Sequence, residues 1–298
     1  GVLQKDGVSY VFDGLGTLPL KWDADGKPSG CLTDAAMKLV TDKVQVTYTD
    51  DQYKNAISEF MKEANSYGIT GLANVTRGGE GMNKLYSEMD TSSDLSLRMR
   101  VINTLSPAST YDDVLKMIKD GSQYNSDMMT TGTVKIFYDG VTESGTAVML
   151  EPYTDAAGQG GDWHGEPIWS DEDFFKFVKD FDAEGVQVHV HAIGDGAVSK
   201  TLDAFEAAQE ANGKRDSRHT ITHVCAIADE DIQRNADLGV VNALQYLWMY
   251  ADPLYDLEAA YIGEERALAM YPTQKMLDAG CIITGASDAP VTPYKVLD

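Results

Sequence analysis

Past residue 49 the hydrophobic positions of this chain switch repeatedly between two patterns. Residues 50–67 carry Tyr53, Ile57, Phe60 and Met61 at helical spacing, and Gly68 ends the run. Residues 69–75 follow as a mostly apolar run, Ile69, Leu72, Ala73 and Val75 among them, and read as a strand. The exchange then repeats. Helices are expected over 81–89, 111–124, 170–184, 197–211, 229–238 and 264–279, with Ser170 as a cap and Gly185, Gly239 and Gly280 as stops. Strands are expected over 97–105, 132–140, 186–193, 219–224, 240–245 and 281–287. Two longer stretches, 141–169 and 246–262, break the rhythm and read as loops. Before residue 46 the pattern is irregular. Residues 8–12 read as a short strand, residues 23–30 as a turn by composition, and residues 32–40 as a short helix with Thr33 as its cap.

Strands in tandem with helices between them predict an α/β domain with a parallel sheet, either doubly wound or a (β/α)8 barrel. No Gly-x-Gly-x-x-Gly follows the first strand, which weakens the doubly wound, nucleotide-binding form. A barrel needs one strand more than the seven counted. The expected fold is therefore a TIM (β/α)8-type barrel, incomplete, over 46–298. An irregular insertion or hairpin segment precedes it at 1–45.

Composition narrows the partners more than the chemistry. The 298 residues are 43% hydrophobic, ample for one large core. The net charge of −23 repels nucleic acid and anionic membrane, so neither is an expected partner. Cys31, Cys225 and Cys281 are odd in number and widely spaced, which fits neither a disulfide framework nor a zinc finger. A reducing, cytoplasmic setting is the expectation. No apolar run approaches the roughly 18 residues that span a bilayer. The chain opens at Gly1 without a methionine, and the expectation is an internal portion of a longer protein.

Candidate chemistry lies at the strand ends, where barrel active sites form. Four of the five histidines fall between 189 and 223. Strand alternation puts Lys135, Phe137 and Asp139 on one face, His189 and His191 on one face, His219, Ile221 and His223 on one face, and Thr284, Ala286 and Asp288 on one face. Imidazole and carboxylate suit divalent zinc, iron or manganese. A lysine joins such a set only after losing its proton or becoming a carbamate, and burial in a barrel depresses its pKa. The candidates are Lys135, His191, His223 and Asp288, with His189 as a spare. His219 at a strand start and His164 in a long loop read as structural. Tyr153, Trp163, Trp248 and Tyr250 in the long loops read either as pocket lining or as packing.

The order Lys, His, His, Asp on four successive strand ends resembles the metal-dependent amidohydrolase superfamily, and amidohydrolase family 3 in particular, which includes N-substituted amide and formamide hydrolases. Four stretches carry the likeness. Val134-Lys135-Ile136-Phe137-Tyr138-Asp139-Gly140 resembles its Val-Lys-hydrophobic-Phe-x-Asp-Gly strand. His191-Ala192-Ile193-Gly194-Asp195 resembles its His-Ala-Ile-Gly-Asp. Arg218-His219-Thr220-Ile221-Thr222-His223 is similar to its Arg-His-x-Ile-Glu-His. Gly285-Ala286-Ser287-Asp288-Ala289-Pro290-Val291 is similar to its Gly-Ser-Asp-x-Pro-Val. The turn Asp25-Gly26-Lys27-Pro28-Ser29-Gly30 also fits a family turn.

The resemblance implies hydrolysis of non-peptide carbon–nitrogen bonds in a small-molecule substrate. It implies one or two divalent metal ions, zinc by preference, held by carbamylated Lys135, His191, His223 and Asp288. Asp288 would also be the general base for the attacking water. His189 and Asp195 would stand behind the ligands and orient them.

The departures are specific. The family's His-x-His first strand and its small β-sandwich have no counterpart, and His189-Val190-His191 is not that pair because too few strands follow it. Thr222 stands where the family usually has Glu, and Tyr246 follows Gln245 where Pro is usual. Two other readings stay open: a catalytically silent portion lacking two ligands, whose exposed strand edges favour homo-oligomers, and a metal-free enzyme using Lys135 as a Schiff-base amine.

Overall fold

The computed structural model describes residues 47–76, 79–251 and 253–295, together with the backbone of four short strands nearer the N-terminus. The chain divides into two compact units, residues 1–53 and 54–298. In the first, β1 (Val2–Lys5) pairs antiparallel with β2 (Val8–Val11), and β3 (Leu20–Trp22) pairs antiparallel with β4 (Pro28–Leu32). The strand expected at 8–12 is β2. Within the turn expected at 23–30, residues 28–30 belong to β4 and the rest lie outside the described residues. The helix expected over 32–40 lies outside them too, apart from Leu32, which ends β4.

The second unit is an alternation of strands and helices. After α1 (Asp50–Ser66) come β5 (Gly71–Thr76), α2 (Gly79–Thr91), β6 (Arg98–Leu105), α3 (Tyr111–Gly121) and β7 (Met129–Phe137). Then follow α4 (Asp171–Ala183), β8 (Gln187–Ala192), α5 (Asp195–Asn212), β9 (Thr220–His223), α6 (Asp229–Asp237) and β10 (Val241–Leu244). The series ends with α7 (Pro253–Ile262), α8 (Glu264–Leu268), α9 (Thr273–Asp278) and β11 (Ile282–Gly285). All seven strands expected past residue 49 form one parallel sheet in strict chain order, β5 to β11, curled as part of a (β/α)8-type barrel. The incomplete barrel read from the sequence is the fold found.

Local chemistry explains most boundaries. Ser170 accepts from the Asp173 N–H and starts α4; Thr110 accepts from the Asp113 N–H and starts α3. Two stretches differ from expectation. The single helix expected over 264–279 is broken into α8 and α9. Pro272 cannot continue a helix, and Tyr271 before it turns to φ +55° while its N–H bonds the Cys225 carbonyl at 2.7 Å. The loop expected over 246–262 contains a 3-10 turn, Tyr246–Met249, and the helix α7. Only Ile262 of α7 is fully buried, so the helix shows no apolar stripe that a periodicity reading could find.

The main core lies between the central strands and the helices α4 and α5, with Val188, Val190, Phe174, Phe181, Leu202 and Phe205 fully or almost fully buried. Burial falls toward the sheet edges. Every residue of β9 is buried, whereas β11 alternates exposed and half-buried. Among the described residues no helix is long and apolar enough to cross a membrane, and Cys225 and Cys281 are free and buried.

Candidate functional site

The register of β7, β8 and β9 brings the strand-end residues side by side. Lys135 pairs across with His189, Phe137 with His191, and His191 with Thr222. The rings of His191 and His223 meet edge to face with centroids 4.4 Å apart. Phe137 packs at 5.3 Å from His191 and lies 4.9 Å below the Lys135 Nζ. Trp248, from the turn after β10, stacks almost parallel on His223 at 5.0 Å. Its indole N–H is buried and has no hydrogen-bond partner among the described residues.

The backbone is strained where the site turns. His223 and Val224 both hold positive φ, +82° and +47°, and Asp288 holds +53°. A branched residue such as Val224 avoids that region unless its surroundings impose it. Here the Val224 N–H bonds the Ala192 carbonyl and the Ala226 N–H bonds the Ile193 carbonyl, each at 3.0 Å. The end of β8 thus fixes the chain that leaves β9.

The hydrogen bonds of the two histidines assign their tautomers. The His191 Nε2 lies 2.9 Å from the Gly140 carbonyl oxygen, which can only accept, so Nε2 carries the proton and Nδ1 the lone pair. The His223 Nδ1 lies 2.8 Å from the Gln245 Oε1, so Nδ1 carries the proton and Nε2 the lone pair. Burial holds both rings neutral: His191 is lowered to about 3, with Lys135 adding to the effect, and His223 is well below its usual value. His189 is likewise held low by burial and by Lys135.

Burial also lowers the Lys135 amine to about 7, against the pull of Asp288 and Asp139. No ion pair within 4 Å joins it to either carboxylate among the described residues. Asp139 is fully enclosed. Its Oδ1 accepts from Ile193 N–H at 3.1 Å, and its Oδ2 from Gly194 and Val148 N–H at 3.0 Å each. The His191 Nε2 stands 3.4 Å from the same carboxylate. Burial pushes the Asp139 carboxyl up to about 7 against those backbone donors.

The other sequence candidates are placed more loosely. Asp288 sits exposed in the turn after β11, its carboxyl raised by partial burial and lowered by Lys135. Asp195 accepts from the Leu150 and Gly196 N–H groups at 2.8 and 2.9 Å, which anchors the long loop rather than touching either histidine. His219 lies at the far end of β9. Its Nδ1 accepts from the Val188 N–H at 3.1 Å and its Nε2 donates to Asp182 at 3.0 Å, a structural role as expected. His164 donates to the Met149 carbonyl within its loop. Tyr153 and Trp163 pack beside the loop core, and Tyr250 is 77% exposed.

The donor chemistry of His191 and His223 suits a divalent cation. Each donates one N–H to an oxygen, as ligating histidines do, and keeps a lone pair on the other nitrogen. Among the described residues no group of three or more His, Cys, Asp or Glu is placed to hold an ion. Sequence reasoning missed Gln245 and Thr222 as partners of this pair. Gln245 is a polar residue just beyond a strand end, the same signal that singled out the others.

Comparison with known proteins adds to the geometry. A family model described as "Amidohydrolase family" matches residues 20–298. The chain is 30% identical over 97% of its length to Protein LONG AFTER FAR-RED 3 of Arabidopsis thaliana, and covers 50% of that protein. It is 24% identical over 91% of its length to the N-substituted formamide deformylase of Arthrobacter pascens, and covers 49% of it. The chain thus spans about half the length of the curated relatives it matches. Among solved structures, an uncharacterized metal-dependent hydrolase from Pyrococcus furiosus shares the fold with a TM-score of 0.70 at 23% identity, covering 92% of this chain and 54% of that one.

Proposed function

The chain belongs to the amidohydrolase family, and on that premise we propose that its protein hydrolyses non-peptide carbon–nitrogen bonds, of amide or formamide type, in small molecules. The observation that carries this reading is the histidine pair: two neutral, buried rings at adjacent strand ends, in opposite tautomers, each with one nitrogen left to bind. The relative that acts on N-substituted formamides supports the substrate class.

His191 Nδ1 and His223 Nε2 would hold a divalent cation, zinc by donor type. Such a cation polarises a scissile carbonyl and lowers the pKa of water from about 15.7 to about 7. Burial lowers the Lys135 amine to about 7, which brings its neutral form within reach near neutral pH. The neutral amine can add to carbon dioxide, forming an N–C bond and releasing one proton, and the carbamate oxygens would complete the histidine pair. Asp288 takes the proton of the attacking water and passes it to the leaving nitrogen. Phe137 and Trp248 cover the rings of His191 and His223 and keep bulk water off them.

The test is metal analysis and amine release from N-acyl and N-formyl amides by the full-length protein. Bound zinc, and a fall in kcat of about 10²-fold or more in Asp288→Asn with zinc retained, are expected. A protein without divalent metal whose Asp288→Ala variant keeps full activity overturns the reading. The low amine of Lys135 also suits a metal-free Schiff-base enzyme. Borohydride trapping of substrate on Lys135, lost in Lys135→Arg, identifies that alternative.

A further inference from the structure

The Thr222 side chain is tied to His223 through a directed chain of hydrogen bonds. The Ala243 carbonyl can only accept. It receives the Thr222 hydroxyl at 3.1 Å and the Gln245 amide NH₂ at 3.3 Å. With its proton given to Ala243, the Thr222 oxygen is free to accept, and the Gln245 NH₂ also lies 3.3 Å from it. Both acceptors hold the amide nitrogen on one side. The Gln245 Oε1 must then face the other way, toward the His223 Nδ1 at 2.8 Å. Thr222, His223 and Gln245 are all buried, so water is a poor substitute for any of these partners. Trp248, stacked at 5° to the His223 ring plane, holds the plane in which the Nδ1–H meets Gln245.

We propose that Thr222 and Gln245 form a positioning pair that locks His223 in its Nδ1–H tautomer and so reserves its Nε2 lone pair for a cation. The tautomer lock stands on these contacts alone; its use for a cation rests on the function proposed above. The device differs from that at His191, where the nearest acceptor of the ring proton is a backbone carbonyl. At His223 the setting depends on two replaceable side chains. Loss of the Gln245 acceptor frees the ring to place its proton on Nε2, which removes the lone pair that would bind. Loss of Thr222 leaves the amide held by Ala243 alone and loosens the lock without touching the ring.

The experiment uses the 298-residue chain, ¹⁵N-labelled on histidine and free of metal, with the tautomer read from the ring ¹⁵N shifts and couplings. Wild type is expected to show His223 as Nδ1–H. Gln245→Leu is expected to add the Nε2–H form and to weaken zinc binding, titrated with zinc ions alone, by about 10- to 100-fold. Gln245→Glu, whose two oxygens both accept, is expected to keep the Nδ1–H form, and Thr222→Val to fall between. Thr222→Val is nearly isosteric, so it remains informative if Gln245→Leu does not fold. An unchanged tautomer in Thr222→Val and Gln245→Leu, or a Gln245→Glu that loses the Nδ1–H form with an unchanged melting temperature, overturns the proposal. A tautomer that shifts as expected in a chain that binds no zinc upholds the lock and overturns the cation reading instead.

Discussion

Asp139 concentrates more of the site's order than any residue read as a ligand. Three backbone N–H groups, from Val148, Ile193 and Gly194, converge on one buried carboxylate beside His191. An unpaired buried donor costs about 1–3 kcal/mol. Asp139→Ala strands three of them, so a loss of about 3 kcal/mol or more is expected in urea unfolding, with Asp139→Asn keeping part of it. A change below about 0.5 kcal/mol in the alanine variant refutes this assignment. The sequence made Asp139 visible as a strand-end polar residue beside Lys135, because alternation along one strand is enough to place both. It did not show that Asp139 serves the backbone of β8 and a loop, because those donors are peptide groups that every sequence has. The tie of Gln245 and Thr222 to His223 stayed hidden for a related reason. Their relation to His223 depends on the register between β9 and β10, which one strand's pattern does not contain.

At the scale of elements, the His-Ala-Ile-Gly-Asp stretch is where the long loop over 141–169 docks. A Cβ at Gly194 would lie 2.0 Å from the Val148 carbonyl oxygen, closer than any contact tolerates. The same carbonyl accepts from the Ala197 N–H, and Asp195 holds Leu150. Gly194→Ala is expected to cost at least about 1–3 kcal/mol as an overpacked contact and to loosen the loop. Thermal melting, with limited proteolysis within 141–169, measures both, and an unaltered melt and digest refutes it.

At the other end of β8 and β9, Asp182 receives His219 at 3.0 Å, Asn212 at 2.9 Å and Arg215 at 2.5 Å. Burial pushes its carboxyl up, but these donors outweigh it and hold Asp182 at about 2, below the roughly 3.9 of an unfolded aspartate. A depressed folded value means that stability is fully present above about pH 4 and is lost as pH falls toward 2. Melting temperature is expected to drop across that window, and Asp182→Asn to flatten the drop. An equal acid dependence in the variant assigns the effect elsewhere. Of the strands that frame this network, β8 was legible because Val188, Val190 and Ala192 recur at every second position, and β9 as the short β-branched run Thr220-Ile221-Thr222. The helix α7 was not, because it buries only one residue fully, and the segment expected as one helix over 264–279 is two, α8 and α9, parted at Pro272.

Across the whole molecule, order is expected to follow position in the sheet. β9 and β8 each have a neighbour on both sides, and every residue of β9 is buried. β5 and β11 have one neighbour each among the described residues, and Val75 and Ile282 are 42% and 50% exposed. An edge strand keeps a row of peptide groups outside the ladder, and it opens without disturbing the core. Amides of β8 and β9 should therefore exchange with solvent only through global unfolding, while those of β5 and β11 exchange at least about tenfold faster through local opening. Hydrogen exchange followed strand by strand at low protein concentration measures the gradient. Edge amides as slow as those of β9 would mean that another chain covers these edges. Protection that falls on dilution would then identify the cover as a second copy, the homo-oligomer that exposed strand edges favour. The histidine pair sits on β8 and β9, in the part of the sheet least exposed to either outcome, so its tautomers should stay fixed whether or not the edges open.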